Sequence, residues 1–274
     1  MLHFDKSITS DQNPVFRALR ECLTTKGIKK HGLFLASGTR VVSELLERYP
    51  QSVRDVIFPS DLPSSEKSAF AFALLKRARE LREQLKGSGS AFAIVELERP
   101  LFDELDAFGT RSPLLVLRTP EIPPIMLKEP PRGLEIFCAL GDPANLGALL
   151  RSAAAFGASK VVLLQESASP FHPKAVRAAS ATTLMTPLFR GPSIQELGKM
   201  AGPAVALHME GQPLSSFDWP KDVRLLIGEE GLGVPDSLPF HRVSIPMVRG
   251  VESLNATIAG GIALFSYRLR QERE

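Results

Sequence analysis

Between residues 133 and 274, short apolar runs alternate with helical patterns, and this alternation constrains the fold more than any other feature of the chain. Runs at Leu134–Leu140, Lys160–Leu164, Leu184–Phe189, Ala204–His208, Val223–Ile227 and Val243–Ile245 are near-continuous, as in strands buried on both faces. Helical patterns fill the gaps at Leu146–Phe156, Pro173–Ala181, Ser193–Met200 and Leu254–Arg270. The alternation predicts an α/β fold with a parallel sheet covered by helices on both faces. In such sheets ligands bind beyond the carboxyl ends of the strands, so the loops after the strands should carry the chemistry.

Upstream, Thr119–Arg132 holds five prolines, at 120, 123, 124, 130 and 131. Proline lacks an amide donor and fixes φ, so this stretch is neither a helix interior nor a central strand. It reads as an extended linker over 119–132, between a first domain at 1–118 and a second at 133–274. The first domain is a small α/β unit. Asn13-Pro14 opens a helix to Leu23. Further helices are expected at Thr39–Glu47 and Glu66–Lys86, and strands at Gly32–Ala36, Val53–Phe58, Ala91–Leu97 and Pro113–Arg118. GSGS at 87–90 reads as a short flexible loop.

Composition excludes several classes. Apolar runs such as Ala69–Leu75 fall far short of the ~20 residues of a spanning helix, so no membrane role is expected. The start, MLHFDKSITSDQ, lacks the basic and apolar regions of a secretory leader and the arginines of a transit peptide. Cys22 and Cys138 are too few and too far apart for a disulfide framework or a thiolate zinc site, which places the chain in a reducing cytoplasm with no metal. The net charge is only +3, so RNA binding would depend on local clusters: Lys26, Lys29, Lys30 and His31, then Lys76, Arg77, Arg79, Arg82 and Lys86. Each also reads as an ordinary solvated helix face.

Three loops after predicted strands stand out. In GDPANLGALLRSAAAFG, Asn145 is placed to cap a helix, Gly157 to end it, and Gly147 and Arg151 share one helix face. A glycine inside a helix costs about 1 kcal/mol against alanine, which points to a close approach. A tight helix–sheet contact with a rim arginine explains the same residues equally well. In GEEGLGVPDS, Gly228, Gly231 and Gly233 permit backbone forms that side chains block, while Glu229 and Glu230 would repel phosphate. That loop suits a neutral or cationic ligand, and an ordinary turn with solvated glutamates is the alternative reading. In PMVRGVESLNATIAGGIALF, Ser253 and Asn255 sit where a helix cap belongs, and Gly260 and Gly261 imply close packing of that helix, as against another subunit.

Together the loops resemble the SpoU/TrmH family of RNA ribose 2′-O-methyltransferases, within the SPOUT class. The family's Asp-Pro-x-Asn-x-Gly-x-x-x-Arg-x-Ala-x-x-x-Gly matches Asp142, Pro143, Asn145, Gly147, Arg151, Ala153 and Gly157. Its Gly-x-Glu-Gly-x-Gly matches Gly228, Glu230, Gly231 and Gly233, and its Ile-Pro-Met…Ser-Leu-Asn matches Ile245, Pro246, Met247, Ser253, Leu254 and Asn255. The motifs appear in order over about 133–270. The first domain is similar to the family's substrate-binding domain in GLFLASGTRVV, with Ser37 where glutamate is usual; Ala181 replaces a common glycine, and Thr183-Leu184-Met185 is unusual. These departures bear on the RNA target more than on the reaction.

The resemblance implies a deep trefoil knot in the second domain, with S-adenosylmethionine held by Leu207, Gly228, Ile245 and Leu254. It implies catalytic roles for Arg151, Asn145, Glu230, Ser253 and Asn255, ribosomal or transfer RNA as substrate, and a homodimer. Methyl transfer from a sulfonium releases a neutral thioether, so neither a general acid nor a metal is needed. Arg151 is the family's proposed base, yet a free guanidinium has a pKa above ~12. The alternative keeps it charged, gripping a phosphate and stabilising the developing alkoxide. A non-catalytic RNA-binding protein that retains the SPOUT fold is the competing reading. A doubly wound nucleotide or flavin binder would need a G-x-G-x-x-G turn, which Gly141–Asn145 lacks.

Overall fold

The computed structural model describes residues 4–61, 66–87, 91–198 and 200–272. The chain divides into two compact units, Met1–Pro120 with Phe171–Ala181, and Glu121–Pro170 with Thr182–Glu274.

The first unit contains β1 (Lys6–Ile8), α1 (Pro14–Glu21), α2 (Thr25–His31), β2 (Leu33–Ala36), α3 (Thr39–Arg48), β3 (Val53–Pro59), α4 (Glu66–Gln84), β4 (Ala93–Leu97), α5 (Arg99–Leu105) and β5 (Leu114–Arg118). Its sheet runs β1-β4-β3-β5-β2, with β5 antiparallel to both neighbours and the other pairs parallel. Asn13 caps α1, its side-chain oxygen accepting the Val15 and Phe16 amides, with Pro14 in the first turn. Phe16 and Leu19 then enter a core shared with Phe34, Leu45, Phe58 and Phe102.

Three short elements, β1, α2 and α5, have no counterpart in the sequence reading. In α2 the Thr24 hydroxyl accepts the Gly27 amide. A Cβ on Gly27 would stand 2.0 Å from the Glu21 carbonyl oxygen, so only glycine fits this turn. Of the GSGS segment, Ser88–Ser90 lie outside the described residues.

The second unit contains β6 (Leu134–Cys138), α6 (Pro143–Ala155), β7 (Lys160–Leu163), β8 (Leu188–Arg190), β9 (Ala204–Pro213), β10 (Val223–Ile227), β11 (His241–Ser244) and the last helix; α7 (Pro173–Ala179) intervenes in sequence after β7, and the last helix is α8 (Ala256–Gln271). Its sheet, β11-β9-β10-β6-β7-β8, is parallel throughout. The central strands β6, β7 and β10 are buried on both faces, as their unbroken apolar runs require, while β8 and parts of β9 and β11 are more exposed.

The structure corrects the sequence reading in four places. Residues 121–132 are not a free linker but a strap on the second unit: the Ala201 amide donates to the Leu127 carbonyl, and the Arg224 guanidinium donates to the Glu129 carbonyl. The domain read as contiguous over 133–274 gives Phe171–Ala181 to the first unit, where Phe171 stacks on Phe34 at 5.0 Å and Arg177 lies 4.4 Å over the Phe108 ring. The strand expected at 184–189 is Leu188–Arg190, because Ser180–Leu184 forms a 3-10 turn. The helix expected at 193–200 is a 3-10 turn at Ile194–Glu196, stopped by Leu197 turning away at ψ 66. No helix among the described residues is long and apolar enough to cross a membrane.

Candidate functional site

Asp142, not Asn145, caps α6: its side chain accepts the Asn145 amide at 2.9 Å, and Pro143 occupies the first turn. This frees the Asn145 side chain. Its Nδ2 donates to Glu230 Oε1 at 3.1 Å, and its Oδ1 accepts from Asn255 Nδ2 at 3.2 Å. Asn255 in turn caps α8 through the Thr257 and Ile258 amides, while the Thr257 hydroxyl donates to the Asn145 carbonyl at 3.0 Å. The second carboxylate oxygen of Glu230 accepts the Gly141 amide at 2.9 Å. The three loops singled out by the sequence are therefore joined through Glu230, Asn145 and Asn255.

Glycines set how closely these loops approach. A Cβ on Gly228 would stand 2.3 Å from the Gly233 backbone, and Glu229 and Gly233 exchange both backbone hydrogen bonds around a turn with Gly231 at φ +90. Side chains rarely adopt that conformation. Gly260 packs against Ile227 and Leu149, each near 3 Å from where its Cβ would stand, so α8 lies against β10 and α6 of its own chain.

These loops enclose a cavity of about 930 Å³. Leu207, Gly228, Glu230, Ile245, Ser253, Leu254 and Asn255 line it. Asn145 does not, and reaches it through its two partners. Arg151 lies further along α6, exposed, outside the lining and without a hydrogen bond or ion pair among the described residues. Ser253 is exposed and caps nothing; Asn255 alone holds the helix start. Behind the first loop, burial pushes the Cys138 thiol up to about 12, so it stays protonated. Sequence reasoning missed His208 in the lining and Thr257 beside it; neither belongs to a glycine-rich or capping pattern.

The two basic clusters of the first unit differ. On α4 and just past its end, Arg77 pairs with Glu47 and Glu80, Arg82 with Asp5, and Lys86 with Glu83, as on a solvated face. On α2, Lys30 and His31 share Glu21, which they hold down at about 2, while Lys26 and Lys29 are exposed. Among the described residues no group of three or more His, Cys, Asp or Glu could hold a metal ion.

Residues 136–265 match the SpoU rRNA Methylase family. The second unit is a SpoU-family methylase domain. Over 97% of its length the chain is 36% identical to Ribosomal RNA small subunit methyltransferase G 2 of Syntrophobacter fumaroxidans, and it spans 49% of that relative. It is 27% identical over 85% of its length to the 23S rRNA (uridine(2479)-2′-O)-methyltransferase of Streptomyces viridochromogenes, of which it spans 82%. The SpoU methyltransferase AviRb from the same organism, in complex with the cofactor AdoMet, superimposes with a TM-score of 0.75 at 22% identity, covering 95% of this chain and 99% of that one. The AdoMet-bound rRNA methyltransferase of Sinorhizobium meliloti gives 0.71 at 23% identity, covering 96% and 97%. The chain thus has the α/β fold of these methyltransferase structures.

Proposed function

We propose that the chain transfers a methyl group from S-adenosylmethionine to a ribose 2′-hydroxyl of ribosomal or transfer RNA. The observation that carries this reading is the linkage of Glu230, Asn145 and Asn255 beside the cavity, with unpartnered Arg151 on the same helix as Asn145. The uridine 2′-O-methyltransferase of Streptomyces and the AdoMet in two structural neighbours support it.

The cavity residues fit the cofactor. Gly228 brings backbone, not side chain, to the wall, Leu207, Ile245 and Leu254 offer apolar surface to an adenine, and Glu229 and Glu252 supply negative charge suited to a sulfonium. Bound there, S-adenosylmethionine supplies an electrophilic methyl group. The chain's task is to align the ribose oxygen and assist its proton loss. Arg151 stays charged, holding an RNA phosphate and stabilising the forming alkoxide, while the proton leaves to water or phosphate. Asn145 and Glu230 fix the loops, and the free Ser253 hydroxyl orients the ribose.

The reading extends to RNA held by the first unit through Lys26 and Lys29, to the trefoil knot of the family, and to action in the cytoplasm. It includes a homodimer, supported by an apolar stripe on α8: Ile258, Ile262, Phe265 and Leu269 are each 39% exposed or more.

Incubation with methyl-labelled S-adenosylmethionine and unmodified transfer or ribosomal RNA tests the reading. Label in a 2′-O-methyl nucleoside is expected, and the productive pool gives the RNA class. Arg151→Ala should keep cofactor affinity and lose about 10²–10³ in rate, the scale of one lost oxyanion contact; lost cofactor binding would remove Arg151 from this role. Cofactor binding without label in either pool would redirect the search to an assembling ribosomal particle. Neither binding nor label would favour a non-catalytic RNA-binding protein.

A further inference from the structure

The wall of the cavity contains a histidine that none of the motifs covers. Pairing of β9 with β11 jumps from Ala206↔Arg242 to Gln212↔Val243, so residues 207–211 bulge out of the ladder. The bulge is held by the Ser244 hydroxyl donating to the Gly211 carbonyl, and by Gly211 itself, whose Cβ would stand 2.6 Å from the Arg242 backbone. His208 lies in it, lines the cavity and turns its Nδ1 to its own chain.

That contact occupies Nδ1 within the chain. The Glu210 amide donates to Nδ1 at 3.0 Å, with the Glu210 carbonyl also at 3.0 Å. The amide only donates and the carbonyl only accepts, so Nδ1 finds a partner in its own chain in either tautomer. With the amide as its partner Nδ1 accepts, and a neutral imidazole then carries its proton on Nε2. Nε2 has no hydrogen-bond partner among the described residues, whereas the lining side chains Glu230, Asn255 and Ser244 are committed to protein partners.

We propose that His208 is a cofactor-contacting residue whose Nε2–H donates to an oxygen of bound S-adenosylmethionine, a ribose hydroxyl or the methionine carboxylate. This rests on the cofactor reading above. A purely local role, in which His208 only shapes the bulge, makes the opposite prediction.

Two substitutions separate them. Asn places its amide oxygen where Nδ1 sits and keeps the tie to Glu210, but has nothing at the Nε2 position. Gln reaches the Nε2 position with an N–H and gives up the tie. Calorimetric titration of the full chain with S-adenosylmethionine should show His208→Asn binding about 5- to 10-fold more weakly, the scale of one hydrogen bond, and His208→Gln within about threefold of wild type. The reverse order, or no change in both, overturns the proposal. Titration with 5′-methylthioadenosine, which lacks the carboxylate, locates the acceptor: the same loss in His208→Asn assigns it to the nucleoside, and a loss confined to S-adenosylmethionine assigns it to the carboxylate. Failure of the wild-type chain to bind S-adenosylmethionine would instead overturn the cofactor reading itself.

Discussion

Both ends of the second unit's sheet gather donors around a carboxylate, to different ends. At the amino ends of the strands, Glu135 accepts from Arg224 Nε at 3.1 Å, Lys160 Nζ at 2.9 Å and the Arg132 amide at 3.2 Å, and Glu135 and Arg224 are each 1% exposed. Arg224 also donates to the Ala201 and Glu129 carbonyls at 2.6 Å. The carboxylate and the guanidinium there are engaged inside the protein, and the result is a proline-rich strap sealed to the sheet. At the carboxyl ends, Glu230 accepts from Gly141, Asp142 and Asn145 but stays exposed. In the cavity wall Ser253 and His208 Nε2, and further along α6 Arg151, keep hydrogen-bonding capacity. One end uses its polar groups up; the other ties its loops together and leaves groups for a ligand.

Removing Arg224 is the strongest test of that contrast. Arg224→Met would leave buried Glu135 with Lys160 and the Arg132 amide, and the Ala201 and Glu129 carbonyls without their guanidinium donor. Breaking a buried pair from one side costs about 3–5 kcal/mol, which urea unfolding would register. S-adenosylmethionine affinity of the remaining folded protein should be unchanged. A fall in affinity matching the fall in stability would mean the two ends are not separate.

Gly228→Ala probes the open end. The added methyl group meets the Gly233 backbone at 2.3 Å, and neither partner is a flexible side chain. Overpacking of this kind costs about 1–3 kcal/mol. The loop must open to relieve it, so cofactor affinity should fall at least tenfold while the unfolding midpoint moves less than in Arg224→Met. Unaltered affinity would place the cofactor away from this loop.

The same contrast explains what was legible in the sequence. The open end is built from residue types that declare themselves: glycines at Gly228, Gly231 and Gly233, an Asp-Pro helix start, and a Ser-Leu-Asn before a helix. Buried parallel strands announce themselves as apolar runs. The sealed end does not, because Arg224 and Glu135 lie second in otherwise apolar strands and read as ordinary charges until pairing sets β10 beside β6. Asp142 and Asn145 are both good caps, so residue type alone does not choose between them; Pro143 in the first turn favours Asp142. Elements of three to seven residues, such as β1, α2 and α5, are too short to show a period. His208 was illegible for a related reason, since its position depends on a break in β9–β11 register.

The smallest expected effect is also the finest test. Glu230→Gln keeps the size of the side chain and one acceptor oxygen, but turns an N–H toward either the Gly141 amide or the Asn145 side chain, both donors. Because the group is exposed, water can take over part of what is lost, and the stability change should be about 1 kcal/mol or less. Cofactor affinity should fall about threefold, because the loops that line the cavity lose register without losing residues. Combining Glu230→Gln with Asn145→Ala then measures the linkage itself. Residues in one hydrogen-bond network couple by about 0.5–3 kcal/mol, so the double variant should be less impaired in cofactor binding than the sum of the singles. Strict additivity would mean that Glu230 and Asn145 act on the ligand separately, and that the open end is a set of neighbouring groups and not one frame.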